Sequence, residues 1–200
     1  KPEIRSINLG TDLTRFALPI LDTTRMGWEV SGDFELLKDM FVGAEVGFQT
    51  TKVEKTNYTY SGNGYYTRIG VDYNFMKHVD EKSLDKMLIG LHYGFTTFNH
   101  QAESVRVPST YFGDFTGGTI EKNWLSANWL EVALGMRTEL LANFYLGWSL
   151  RIRMKVWAEN DPNMQPYYIP GYGRAYGNNA FGFNYSLFYQ IPIKKKQKLE

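Results

Sequence analysis

Hydrophobic positions recur with a period of two from one end of this chain to the other, and helical spacing hardly appears. Ile7, Leu9, Thr11 and Leu13 alternate with Ser6, Asn8, Gly10 and Asp12, and Met26, Trp28, Val30, Phe34 and Leu36 alternate with Gly27, Glu29, Ser31, Asp33 and Glu35. Met40 to Phe48 sets Val42 and Val46 against Gly43, Glu45, Gly47 and Gln49, and Tyr65 to Phe75 sets Ile69 and Val71 against Arg68, Gly70 and Asp72. Met87 to Phe95 does the same with His92 between its apolar residues. After a long gap come Leu130 to Met136 opposite Glu131, Arg137 and Glu139, then Leu146 to Met154 opposite Arg151, Arg153 and Lys155, and last Phe181 to Ile191 opposite Gly182, Asn184 and Gln190. These are eight segments of about ten residues, the length that crosses a bilayer at a tilt.

Connections alternate too. Long ones are expected over 15–24, 53–63, 103–125 and 158–178, tight turns at 37–39 and 141–143, and an intermediate charged one at 77–86. Short turns on one rim and long loops on the other are the plan of outer-membrane barrels, with the short rim and both termini periplasmic. The reading is therefore all-β: an eight-stranded antiparallel up-and-down transmembrane β-barrel.

Alternation alone also fits a lipocalin-like soluble barrel with the apolar face inward. The polar face decides between them. It carries ten glycines, which a solvent face does not need but a narrow lumen does. On the same face Asp12, Glu29, Asp33, Glu35, Glu45, Asp72, Glu131 and Glu139 stand with Arg68, Arg137, Arg151, Arg153 and Lys155, eight carboxylates to five cations, so the lumen carries about −3 and its charges can pair across the barrel. The apolar face has Trp, Tyr and Phe near the strand ends, as in the girdles at the two headgroup levels.

With 200 residues the chain is read as one domain, 1–200, with a tail from 193. A net charge of +1 argues against a nucleic-acid binder, and the absence of cysteine excludes thiolate chemistry and disulfides. Aromatic residues make up 16%, including 14 Tyr and 13 Phe, a content suited to a membrane interface. No apolar run reaches the roughly 18 residues of a spanning helix, and no signal peptide opens the sequence, so an exported protein would have Lys1 behind a removed segment. Lys194, Lys195, Lys196 and Lys198 read as a solvated periplasmic tail, and Leu199-Glu200 as a cloning remnant.

The segments WEVSGDFELLKDMFVGAEVGF and WLEVALGMRTELLANFYLGWSLRIRMKV resemble the strand-turn-strand units of small outer-membrane barrels of Bacteroidota, and most of the chain is similar to a domain-of-unknown-function family among them. The resemblance implies location in the outer membrane and brings no catalytic residues.

Candidate chemistry is sparse. His92 and Asp72 could form an acid–base pair, but with no serine nucleophile at hand the simpler reading is a histidine hydrogen-bonded inside a polar plug. His78 and His100 fall near opposite rims, so no metal is assigned and no cofactor is expected. Arg151, Arg153 and Lys155 form a basic ladder facing Glu29, Asp33, Glu35 and Glu45. It reads as an ion-paired plug, since an eight-stranded interior is only wide enough for side chains to fill, and the alternative is a selective pore. Across the turn near 141–143, Glu131 is expected to pair with Arg153, or with Arg151 if the register slips by two. Tyr167, Tyr168, Tyr172, Arg174 and Tyr176 make the best partner-binding loop, rich in the residue types of binding hot spots; the alternative is a rim loop resting on headgroups and on its own barrel. Gly171, Gly173 and Gly177 do not have dinucleotide-fingerprint spacing, and the acceptor pattern at Asn57-Tyr58-Thr59 means little in a bacterial outer membrane.

The expected role is a non-enzymatic structural or interaction component of the bacterial outer membrane, embedded in the lipid bilayer and docking an outer-membrane lipoprotein or a larger envelope complex. The rivals are an enzyme acting on lipid or peptide at the outer rim, and a small channel.

Overall fold

The structure, a computed structural model, describes residues 6–76, 85–107 and 115–193. The N-terminal residue Lys1, His78, most of the charged 77–86 connection and the tail beyond 193 lie outside the described residues. Eight strands close a barrel: β1 (Ser6–Asp12), β2 (Arg25–Leu37), β3 (Met40–Lys55), β4 (Tyr58–Asn74), β5 (Lys86–Val107), β6 (Phe115–Leu141), β7 (Phe144–Ala158) and β10 (Asn179–Pro192). The connection from β7 to β10 holds a two-stranded ribbon, β8 (Tyr168–Ile169) and β9 (Gly173–Arg174). Every neighbouring pair around the barrel is antiparallel, and β10 closes the ring onto β1.

Closure satisfies the backbone groups that hydrocarbon cannot, so strands can cross a bilayer where open sheets cannot. No helix among the described residues is long and apolar enough to cross. The two tight turns have a local cause. Leu37 pairs with Met40 and Leu141 with Phe144, leaving two-residue turns whose second residues, Asp39 (φ 63°) and Asn143 (φ 70°), are types that tolerate the left-handed region.

The expected connections need three corrections. Segment 53–63 is not a loop: β3 and β4 stay paired up to Lys55 opposite Tyr58, joined by Thr56 and Asn57. Much of 103–125 is likewise strand, with β5 and β6 running 22 and 27 residues, well past the roughly ten that a bilayer needs. Above the membrane both faces of a strand can be polar, so alternation fades while the hydrogen-bond ladder continues. Third, 15–24 contains a helix, α1 (Thr14–Leu21), hidden by its eight-residue length and by Pro19.

The apolar face points outward on every strand. Leu9, Val30, Val46, Ile69, Leu91, Val132, Ile152 and Phe183 are all exposed, in a belt that water would not tolerate as a monomer's surface. Val46→Arg near the midplane should cost about 2–4 kcal/mol, read from the shift in urea unfolding in lipid vesicles. A shift no larger than that of Val46→Ala would remove this face from the hydrocarbon.

Candidate functional site

The inward face carries the charges. At mid-height the fully buried Arg68 of β4 lies 2.5 Å from Glu29 of β2, 2.7 Å from Glu45 of β3 and 3.6 Å from Glu131 of β6. Arg151 of β7 joins two carboxylates, at 2.8 Å from both Glu45 and Glu131. Arg153 donates from Nε to Glu131 at 2.7 Å and from a terminal nitrogen to the Tyr172 carbonyl at 2.9 Å. The register explains the contacts, since Glu45 stands directly opposite Arg68 and Glu131 directly opposite Arg153. Three carboxylates thus meet three guanidinium groups, each shared between strands, so the charges cross-link the wall around the lumen.

Nearer the rim of the tight turns Arg137 lies 2.7 Å from Asp33 and over the Phe188 ring, while His92 Nε2 is 3.1 Å from Asp72. Glu35 lies at the rim, where it accepts the Asp39 amide. Beneath the central cluster an internal cavity of about 60 Å³, lined in part by Asp33, Glu45, Asp72 and His92, has room for only a few waters.

Two cations went unnoticed in the sequence. Arg15 reaches from α1 into the lumen, 3.3 Å from Glu29 and 3.2 Å from the Gln49 side-chain oxygen. Lys86 packs its ammonium over Phe41 and Tyr145. Arg15 lies in a segment read as a loop and Lys86 at the edge of one, so strand alternation could not assign either a face.

Above the charges lies an apolar layer. Trp129, Tyr66, Phe98, Leu125, Ile169 and Tyr172 form one buried cluster, with Tyr66 also donating its hydroxyl to Glu29. Two glycines make this layer possible. A Cβ at Gly94 would overlap the Trp129 indole, and one at Gly171 (φ 76°) would overlap the Tyr66 ring.

This packing corrects the reading of the tyrosine loop. Tyr172, expected to face a partner, is buried beneath the loop and stacks edge-on against Trp129 at 5.8 Å. Tyr167 hydrogen-bonds Tyr58, and Tyr168 lies under the Arg25 guanidinium, so both are partly used internally. Only Arg174 and Tyr176 of the five are exposed. Lys155 is corrected as well: its ammonium donates to the Ala175 carbonyl at 2.8 Å, which tethers the loop instead of extending the ladder toward the carboxylates. The reason is common to these cases. A mouth this narrow is filled most favourably by the loop that the chain already carries over it.

The loop is also anchored outside the membrane belt. Asp161 accepts from Asn123 at 3.2 Å and from the Asn163 amide at 2.8 Å, and lies 2.9 Å from His100 Nε2. Burial raises its pKa, but the Asn163, Asn123 and His100 contacts outweigh that and hold the carboxyl below the ordinary aspartate range. A lowered folded-state pKa means that this anchor stabilises fully at neutral pH and fades as the pH falls below about 4. Acid should therefore expose the 158–178 loop to pepsin before the barrel unfolds, and Asp161→Asn should abolish that pH dependence.

Among the described residues no three His, Asp or Glu side chains converge as a metal site would require. The lumen charges bind the strands of the wall to one another.

No curated protein matches the sequence. Among solved structures, a major outer membrane protein from Thermus thermophilus superposes with a TM-score of 0.53 at 14% identity, covering 94% of this chain and 98% of that one. The N-terminal β-barrel domain of Pseudomonas aeruginosa OprF gives 0.50 at 7% identity, covering 94% and 100%. At such identities the likeness is one of fold, and the fold is that of the eight-stranded outer-membrane barrels. Residues 3–196 match the family described as Domain of unknown function (DUF6048), and the chain belongs to it.

Proposed function

We propose that the protein is a non-enzymatic barrel of a Bacteroidota outer membrane, built as one domain, with a closed lumen and an extracellular rim that engages another envelope component. The observation that carries this reading is the two-layer closure. The guanidinium–carboxylate cluster around Arg68 fills mid-height, and the Trp129–Tyr172 layer caps it. A channel would need those charges to line water, yet Arg68, Glu131 and Trp129 are all fully buried.

The same reading gives the rim its role. The β5–β6 hairpin rises past β7, whose last pairing with β6 is Ala158 with Ala127, and presents Trp124 beside Lys122. An outer-membrane lipoprotein or larger envelope complex is the partner expected at that hairpin and at Arg174 and Tyr176, because exposed aromatic and arginine side chains on rigid supports suit protein contacts.

Purified wild-type protein in planar bilayers should give no stable single-channel currents; reproducible currents would overturn the closed lumen. For the rim, a photo-crosslinker at Trp124 in intact cells should give a discrete protein adduct that one at the belt residue Leu150 does not. Equal or absent adducts at both positions would count against an interaction role.

A further inference from the structure

The barrel wall has a gap in its ladder. β1 stops at Asp12, opposite Ser186, and its last partner on β2 is Val30. Beyond these points β10 runs on to Asn179 and β2 to Arg25, each still paired on its other flank but not with the other. Helix α1 bridges the space, held to β10 by the Leu13 amide on the Tyr185 carbonyl (2.8 Å) and by Thr14 Oγ1, which accepts the Tyr185 amide (2.7 Å). Between α1, the 158–178 loop and the upper half of β10 lies a groove of about 510 Å³, within the size range of small-molecule sites.

The groove is polar inside and apolar at its lips. At its inner end Gln49 Nε2 and Asn184 Oδ1 have no hydrogen-bond partner among the described residues, although both side chains belong to residues only 4% exposed. A buried donor and a buried acceptor left open cost free energy until something fills them. Four guanidinium groups, of Arg15, Arg25, Arg153 and Arg174, line it against two carboxylates, of Asp12 and Asp22. The first three arginines already have acidic partners, whereas Arg174 is exposed and makes no ion pair with a described residue. Outside the gap Phe16, Ile20, Met26, Phe181 and Phe183 are exposed, continuous with the belt that faces hydrocarbon.

We propose that this groove binds the head group of an anionic outer-leaflet lipid that carries a phosphate beside a hydroxyl, with the acyl chains leaving sideways past α1 and β10. The phosphate meets Arg174 and accepts from Gln49 Nε2, and the hydroxyl donates to Asn184 Oδ1. A soluble anion would leave the apolar lips uncovered, and a zwitterionic lipid without a hydroxyl would leave Asn184 unsatisfied. The assignment goes beyond the closed-lumen reading and does not depend on it.

Native mass spectrometry of the detergent-purified protein tests this with dimyristoyl phosphatidylglycerol, dimyristoyl phosphatidylcholine and glycerol 3-phosphate as probes. Wild type should hold phosphatidylglycerol roughly tenfold more tightly than phosphatidylcholine, about the value of one hydrogen bond to a charged group. Arg174→Gln, on an exposed side chain with no hydrogen bond or ion pair to a described residue, and Gln49→Leu should each remove most of that preference while leaving heat stability of the Arg174 variant unchanged. Equal retention of the two lipids, a preference untouched by both substitutions, or displacement of lipid by glycerol 3-phosphate would each overturn it, the last by marking a site for soluble anions.

Discussion

Glu131→Gln should destabilise the barrel by about 3–5 kcal/mol, because it leaves the buried Arg153 guanidinium without its carboxylate. Arg68 keeps Glu29 and Glu45 and Arg151 keeps Glu45 after the change, but among the described residues Arg153 has Glu131 as its one carboxylate and otherwise the Tyr172 carbonyl. A neutral amide cannot repay the desolvation of that cation. Combining Glu131→Gln with Arg153→Met removes both charges and keeps the volume, so most of the loss should be recovered. Heat-unfolding temperatures of the three proteins in one detergent check this. If the double variant is no more stable than Glu131→Gln, the pair is not the source of the loss. If the single change leaves the temperature where it was, the central cluster does not hold the wall together.

Trp129→Ala should cost about 3–5 kcal/mol, the usual range for emptying a fully buried aromatic site, and should act on the mouth before the barrel. The indole sits over Gly94 and against Tyr172, so its loss leaves a cavity directly under the loop that caps the lumen. Limited chymotrypsin digestion should then cut within 160–178 while the β-barrel core stays folded by its gel mobility before boiling. Trp129→Phe, which keeps part of the packing, should fall between. Uniform resistance of the loop in Trp129→Ala would mean that the apolar layer does not hold it.

How much of this was legible in the chain follows from what alternation can and cannot carry. The strands, the facing of Glu29, Asp33, Glu45, Arg68, Asp72 and Glu131 and the turns at Lys38-Asp39 and Ala142-Asn143 are local properties: a period-two pattern assigns each side chain to one face, and a two-residue turn sets the register of the hairpin. Closure of the ring follows because hydrocarbon leaves no other place for the edge groups of β1 and β10.

What lay beyond the sequence depends on which distant residues share a height in the lumen. Tyr172 is far from Trp129 and Tyr66 along the chain, and its burial is decided by a loop folding back into the mouth. Arg15 enters the charge cluster because a short helix stands where β1 ends, and hydrophobic periodicity carries no mark of that ending. The ladder gap beside β10, with Gln49 and Asn184 open behind it, likewise exists only once the strands have closed at unequal lengths. The alternation of this chain determined the wall and the sign of its two faces, because each is set by neighbours two residues apart. Tertiary structure alone decided what fills the barrel and where its wall opens, because those depend on the three-dimensional stagger of strands and on loops that compete for one narrow space.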